Sequence, residues 1–154
     1  MAKILYLIKI KIVIFILLLS NSSKSQTAST VSHLVFGEVV AGLSKEIFHT
    51  SSGAAKFRTK DNPSKTLLIT FTLPANLISG PNSIPITFSS AYSGYSDTDN
   101  PATATSFNPF QTISFFTAPT DKTCFIWLGG KVTVSGSTLP GTYTGTIIMT
   151  VVRQ

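Results

Sequence analysis

The end of the chain, residues 124–152, constrains the fold more than any other stretch. Mostly apolar residues occupy one set of alternate positions and threonines the other: Tyr143, Gly145, Ile147, Met149 and Val151 against Thr142, Thr144, Thr146 and Thr150. Side chains of a β-strand alternate between the two faces of a sheet, so this spacing is typical of a half-buried antiparallel strand. We therefore predict two strands over 124–152, joined by a turn over 135–141, and we call this pair the terminal hairpin.

The N-terminus has the layout of a secretory signal peptide. Three lysines among the first eleven residues precede a run of eight apolar residues over 12–19. Ser23 and Ser25 then stand three positions and one position before a cleavage point at Gln26. Eight apolar residues are too few to cross a bilayer, which needs about 20. We predict that residues 1–25 are a leader, that the protein is exported to the periplasm, cell surface or medium, and that no stable membrane span remains.

Removal of this leader changes the charge balance. Four of the twelve basic residues lie within 1–25, so eight remain against six acidic residues, and the net charge falls from +6 to +2. A nucleic-acid-binding surface needs a basic stripe. The nearest candidate is interrupted by Asp61 and is typical of a solvated strand edge; it consists of Lys56, Arg58, Lys60 and Lys65. We predict no nucleic-acid partner.

Cys124 is the single cysteine, so no internal disulfide can form and core burial has to supply the stability. Because Cys124 would share a strand face with Ile126 and Leu128, we predict a small buried apolar residue rather than a reactive thiol. The length that remains after leader removal suits one domain. We expect residues 26–33 to be a flexible N-terminus and residues 34–154 to form a single domain.

Short alternating segments, separated by turn residues, run along most of this domain. They lie at 34–40, 46–50, 54–59, 66–73, 83–89 and 111–116, and residues 90–110 are the least regular part. No segment carries apolar residues at the spacing of a long amphipathic helix. The pattern predicts an all-β, immunoglobulin-like antiparallel β-sandwich.

Two motifs near the end resemble a known bacterial family. They are WLGGKVTV at 127–134 and LPGTYTGT at 139–146, followed by a run of Thr and Val. Residues 34–37, LVFG, are similar to that family's opening strand, and residues 66–73 to its middle strand. The family is the bacterial domain of unknown function 4402, which is similar to the spore coat protein U group and, more distantly, to chaperone–usher pilins.

The resemblance implies an exported immunoglobulin-like β protein of a bacterial surface, with a structural or adhesive role. The chain departs from pilins at two places. Pilin-like chains often carry an aromatic residue at the penultimate position, where this chain has Arg153. A strand-donating pilin also has an N-terminal extension of alternating apolar residues, whereas residues 26–33 are mostly small and polar.

The sequence offers no constellation for catalysis or metal binding. His33 and His49 lack the spacing of metal ligands, and no nucleophile elbow is present. Residues 97–100, DTDN, form the one oxygen-rich cluster, and without a following Glu or Gly they are typical of a turn rather than a calcium loop. We therefore predict a protein that is not an enzyme and that needs no cofactor or metal.

Aromatic residues in and beside the irregular region are the candidate binding surface. They are Tyr92, Tyr95, Phe107, Phe110, Phe125 and Trp127. If Ile126 points inward, Phe125 and Trp127 lie on the outer face, and the competing interpretation is that residues 90–110 fold over them.

We predict from these patterns a non-catalytic structural or surface-assembly protein with other protein subunits or surface glycans as partners. The alternative is a carbohydrate- or protein-binding module that uses the aromatic loop at 90–110. Unpaired sheet edges would favour assembly.

Overall fold

The computed structural model describes residues 27–61, 64–117 and 123–154. The predicted leader lies outside these residues. Within them the protein is an all-β antiparallel sandwich, which confirms the predicted fold class. No helix in these three ranges is long and apolar enough to span a membrane.

Twelve strands and two short 3₁₀ turns make up the described part of the chain. The strands are β1 (Thr27–Ser32), β2 (Ser44–Ile47), β3 (Ala55–Lys60), β4 (Lys65–Thr72), β5 (Asn76–Ser79), β6 (Asn82–Thr87), β7 (Ser93–Ser96), β8 (Thr105–Ser106), β9 (Ile113–Thr117), β10 (Thr123–Leu128), β11 (Gly130–Thr133) and β12 (Ile148–Arg153). The 3₁₀ turns are Ser90–Tyr92 and Pro101–Thr103. The strands form a five-stranded sheet in the order β1-β3-β10-β7-β8, a four-stranded sheet β2-β11-β6-β5 and a three-stranded sheet β12-β4-β9.

The main core lies between the five-stranded and three-stranded sheets. Alternate residues of β3 and β10 face alternate residues of β4 and β9, and the fully buried members are Leu67, Ile69, Cys124, Ile126 and Leu128. Burial of apolar surface at about 25 cal/mol per Å² is the main favourable term in such a disulfide-free domain. The predicted inward face of β10 is therefore correct.

A glycine carries the chain from one sheet to the next. Gly129 is the single residue between β10, in the five-stranded sheet, and β11, in the four-stranded sheet. A Cβ atom at this position would lie 1.8 Å from the carbonyl oxygen of Ile47 at the end of β2. Only glycine lets the two backbones approach this closely, and Gly129 is thus the crossing point between the sheets.

The predicted terminal hairpin is wrong. β11 pairs with β2 and β6, whereas β12 pairs with β4 in a different sheet. Residues 134–147 connect them and contain a single bridge, between Thr144 and Ile78. Alternation specifies which side chains face inward, and the hydroxyl and apolar faces were assigned correctly, but alternation does not specify which strand lies alongside.

The two N-terminal predictions also need correction. Thr27–Ser32 is not a flexible segment but an edge strand that pairs with β3, because backbone hydrogen bonds need no large side chains. Residues 34–40, predicted as the first strand, are not a strand. Gly37 has a positive φ of 63°, which interrupts the extended backbone there.

Candidate functional site

A groove of about 1010 Å³ lies over the four-stranded sheet. Its floor is a second apolar cluster on β6, β11 and the residues that follow them: Ile84, Ile86, Phe88, Val132 and Val134. Its two walls are the segments 33–41 and 138–147. The inner face of this sheet is thus covered by two separate pieces of chain rather than by a second sheet.

Few backbone hydrogen bonds hold the walls. The amide of Val35 donates to the carbonyl of Gly53, 2.8 Å away, and the amide of Gly42 donates to the carbonyl of Val134 at 2.9 Å. In the other wall, Thr144 and Ile78 exchange two bonds of 2.7 and 3.0 Å. Each wall is therefore held by a few backbone hydrogen bonds, and the space between the two walls is open.

The lining of the groove is apolar with a sparse polar rim. Val35, Val40 and Leu139 are exposed along the walls, although each is a large aliphatic residue. The Tyr143 hydroxyl donates to the carbonyl of Leu139 at 2.7 Å, and Lys45 Nζ donates to the carbonyl of Glu38 at 3.2 Å. Such a surface can bind an apolar ligand.

Two of the six predicted binding residues belong to the core. Tyr95 and Phe107 pack edge to face, with ring centroids 5.9 Å apart, and both contact the main core. Tyr95 is paired with Ile126 in the sheet register, so its side chain lies on the inward face of β7. Their role in the described structure is packing.

Phe125 and Trp127 stack on the outer face of β10, with ring centroids 6.1 Å apart. Lys56 Nζ lies over both rings, at 5.4 and 5.8 Å, and pairs with Asp99 at 2.5 Å. Trp127 is only 5% exposed, and Asp99 of the irregular region pairs with the lysine that lies over the two rings.

The last two aromatics lie apart from the others. Tyr92 packs on Phe48 with centroids 5.4 Å apart, and Phe110 is 68% exposed on the surface. The six side chains therefore do not lie together on one surface. Two pack against the core, two stack on the outer face of β10, and Tyr92 and Phe110 lie at two further positions.

Tyr92 also joins a small polar cluster on the outer face of the four-stranded sheet. Lys131 Nζ lies 3.0 Å from Glu46 Oε1, and this hydrogen bond, with a second from the Tyr92 hydroxyl, lowers the pKa of Glu46. Burial, and then the neighbouring Glu46, raises the pKa of Tyr92, and the hydrogen bond to Glu46 raises the pKa of Lys131. The three groups form a surface ion-pair network.

Cys124 and the loop at 97–100 have structural roles in the described residues. Burial, and secondarily the charge of Asp97, raises the pKa of the Cys124 thiol to about 12. The loop at 97–100 serves as a turn, since Asn100 Oδ1 accepts from the amide of Ala102 at 3.0 Å. Residues 27–61, 64–117 and 123–154 contain no group of three or more His, Cys, Asp or Glu side chains that could hold a metal ion.

Sequence reasoning missed the groove, although part of its pattern was visible. Leu34, Phe36 and Val39 turn partly inward and pack on the second apolar cluster. The sequence predicted a strand over 34–40, but it could not show that the facing wall would come from residues 138–147. In comparisons with known proteins, the chain matches no protein-family model and no curated protein.

Proposed function

We propose that this protein is an exported, non-catalytic structural subunit of a bacterial surface, and that it assembles with other protein subunits. The groove between segments 33–41 and 138–147 carries the proposal. In this proposal an extended apolar segment of a partner subunit lies in the groove and covers its floor.

The size and lining of the groove support a chain segment as the occupant. Pockets for small molecules occupy about 300–1000 Å³, so this groove is at the upper limit of that range. Its walls expose the aliphatic side chains of Val35, Val40 and Leu139, which suits a partner segment with apolar side chains. Exposed apolar surface of this kind marks interaction sites in monomeric proteins.

Two further observations support assembly outside the cytoplasm. The motifs at 127–134 and 139–146 resemble a family of exported surface proteins, and residues 1–25 have the layout of a leader. The sheets also end in edge strands, among them β1 and β12, that present backbone groups to a neighbour.

The full chain, expressed with its own N-terminus and purified after export, provides the test. Size-exclusion chromatography over a range of concentrations should show oligomers that grow with concentration. Val35→Asp and Leu139→Asp place a charge in the groove wall and should reduce assembly. Phe110→Asp changes an equally exposed residue outside the groove and should leave assembly unchanged.

Equal behaviour of the groove variants and the Phe110→Asp control would contradict the proposal. A protein that stays monomeric at every concentration and binds glycans would favour the alternative, a binding module.

A further inference from the structure

The outer face of the three-stranded sheet carries no charged residue. Nine side chains of β4, β9 and β12 form it: Thr66, Leu68, Thr70, Thr72, Ser114, Phe116, Ile148, Thr150 and Val152. Three of the large apolar ones are more than half exposed, Phe116 at 56%, Ile148 at 53% and Val152 at 54%.

The outer faces of the other two sheets differ from this one. The five-stranded sheet presents Lys56 and Arg58 on β3, and the four-stranded sheet presents the pair of Glu46 and Lys131. Charges on an outer sheet face oppose contact with an identical face. The three-stranded sheet is the one whose described outer residues lack this protection.

β12 is an edge strand of this sheet. The hydrogen bond just after its last residue shows which residues of β12 bond to β4 and which face the open side. The amide of Gln154 donates to the carbonyl of Thr66 at 2.8 Å. Hydrogen-bonded and non-bonded pairs alternate along an antiparallel ladder, so Thr150 exchanges its bonds with Thr70. Met149 and Val151 therefore direct their N–H and C=O groups to the open side of β12.

We propose that a second copy of this chain pairs with this open side, antiparallel, β12 against β12, on a twofold axis at Thr150. In this register Met149 exchanges hydrogen bonds with Val151 of the partner subunit, and Val151 exchanges hydrogen bonds with Met149 of the partner subunit. The result is one continuous six-stranded sheet with no change inside either copy.

The sequence of β12 is self-complementary in this register. Thr150 stands opposite Thr150 of the partner subunit, and Ile148 stands opposite Val152 of the partner subunit on the outer face. These are non-bonded pairs, in which side chains approach most closely. A row of apolar side chains then crosses the interface, from Leu68 through Val152 to Ile148 of the partner subunit.

The neighbouring register, centred on Val151, lacks this match. It would place Met149 opposite Arg153 of the partner subunit and Ile148 opposite Gln154, beyond the end of the strand. The pattern of the strand thus favours the axis at Thr150 over the one at Val151, with a second copy as the occupant.

The inference rests on the proposed assembly role and names a partner for a surface other than the groove. The two can fail separately, because the groove variants leave β12 unchanged and the variants below leave the groove unchanged.

The first experiment uses cysteine cross-linking of the full chain. Thr150→Cys places two thiols across the twofold axis, within the Cβ separation of about 3.5–4.5 Å that a disulfide needs. Air oxidation should give a covalent dimer on a non-reducing gel. Ser114→Cys, exposed on the same face at the opposite edge, should stay monomeric, and the buried native Cys124 should take no part.

The second experiment adds charge at the same position. Sedimentation velocity at about 100 μM, where an interface of micromolar Kd is mostly occupied, should show a dimer for the parent chain. Thr150→Lys should shift it to monomer, and Ser114→Lys should not. Equal cross-linking of the two cysteine variants, or a Thr150→Lys protein that associates like the parent chain, would overturn the proposal.

Discussion

Arg153 donates two hydrogen bonds to the buried carboxylate of Asp61, from Nε to Oδ2 and from Nη2 to Oδ1, each 2.6 Å long. The pair joins the end of β12 to the end of β3, and so joins the three-stranded sheet to the five-stranded one. The hydrogen bonds to Asp61 raise the pKa of Arg153. Two parallel bonds of this kind are the strong form of an ion pair.

We expect Arg153→Leu to lower the midpoint of thermal unfolding by several degrees, and to lower it more than Asp61→Asn does. The leucine leaves a carboxylate with a fully buried side chain without its arginine, whereas the asparagine removes the charge that needs compensation. Circular dichroism melts measure both. Arg58→Leu, at an exposed arginine of β3, is the control and should change little. A lower unfolding midpoint for Asp61→Asn than for Arg153→Leu would contradict the stabilising role of this ion pair.

Gly129→Ala should destabilise the protein by about 1–3 kcal/mol or more, because the new methyl group would overlap the carbonyl of Ile47 and force the backbones apart. Gly136→Ala is the matched control. A Cβ atom there meets nothing within 4 Å, so its effect should stay within about 0.5 kcal/mol. Urea unfolding followed by the fluorescence of the single tryptophan, Trp127, measures both. An equal midpoint for the two variants would refute this account of the sheet crossing.

The cluster of Glu46, Lys131 and Tyr92 should make stability depend on pH at both ends. The folded-state pKa of Glu46 is lowered, so its contribution is present above the unfolded value of 4.5 and is lost as the pH falls through the folded pKa. The pKa values of Tyr92 and Lys131 are raised, so their contributions are present below 10.0 and 10.5 and are lost as the pH rises further.

Glu46→Gln should therefore flatten the stability profile in both windows relative to the parent chain, because it removes the partner of the other two groups. Urea midpoints measured from acidic to alkaline pH provide the comparison. Glu38→Gln, at another exposed carboxylate outside the cluster, is the matched control. If the urea midpoint of Glu46→Gln fell at alkaline pH as steeply as that of the parent chain, the network would be contradicted.

Cys124 should not react with a thiol reagent at pH 8 while the protein is folded. The thiolate is the reacting form, and burial raises the pKa of this thiol to about 12. Ellman's reagent should label it only as urea unfolds the chain. Ser114→Cys provides the positive control, since its exposed second thiol should react at once. Fast labelling of the folded parent chain would show that Cys124 is accessible.

The inward faces of the strands could be predicted because burial follows the alternation of side chains. Leu67 and Ile69 on β4, and Ile126 on β10, are fully buried as the pattern required. Strand partners were less predictable. Arg153 and Asp61 are 92 positions apart, and nothing local marks them as a pair.

The candidate site was predicted poorly because it depends on tertiary placement. Tyr95 and Phe110 belong to the same irregular region, yet Tyr95 packs against the core and Phe110 is exposed on the surface. The groove arises from the position of residues 138–147 relative to 33–41, which no local pattern specifies. Sequence patterns report which side chains avoid water, whereas a groove depends on which segments leave a space.

The position of β12 has a consequence for when the chain can fold. It pairs with β4, about 80 residues earlier in the chain, and Arg153 binds Asp61, 92 positions away. The three-stranded sheet can therefore be completed only after β12 has emerged from the ribosome or from a translocation channel, because contacts so distant along the chain form late. Until then β4 lacks one of its two neighbouring strands.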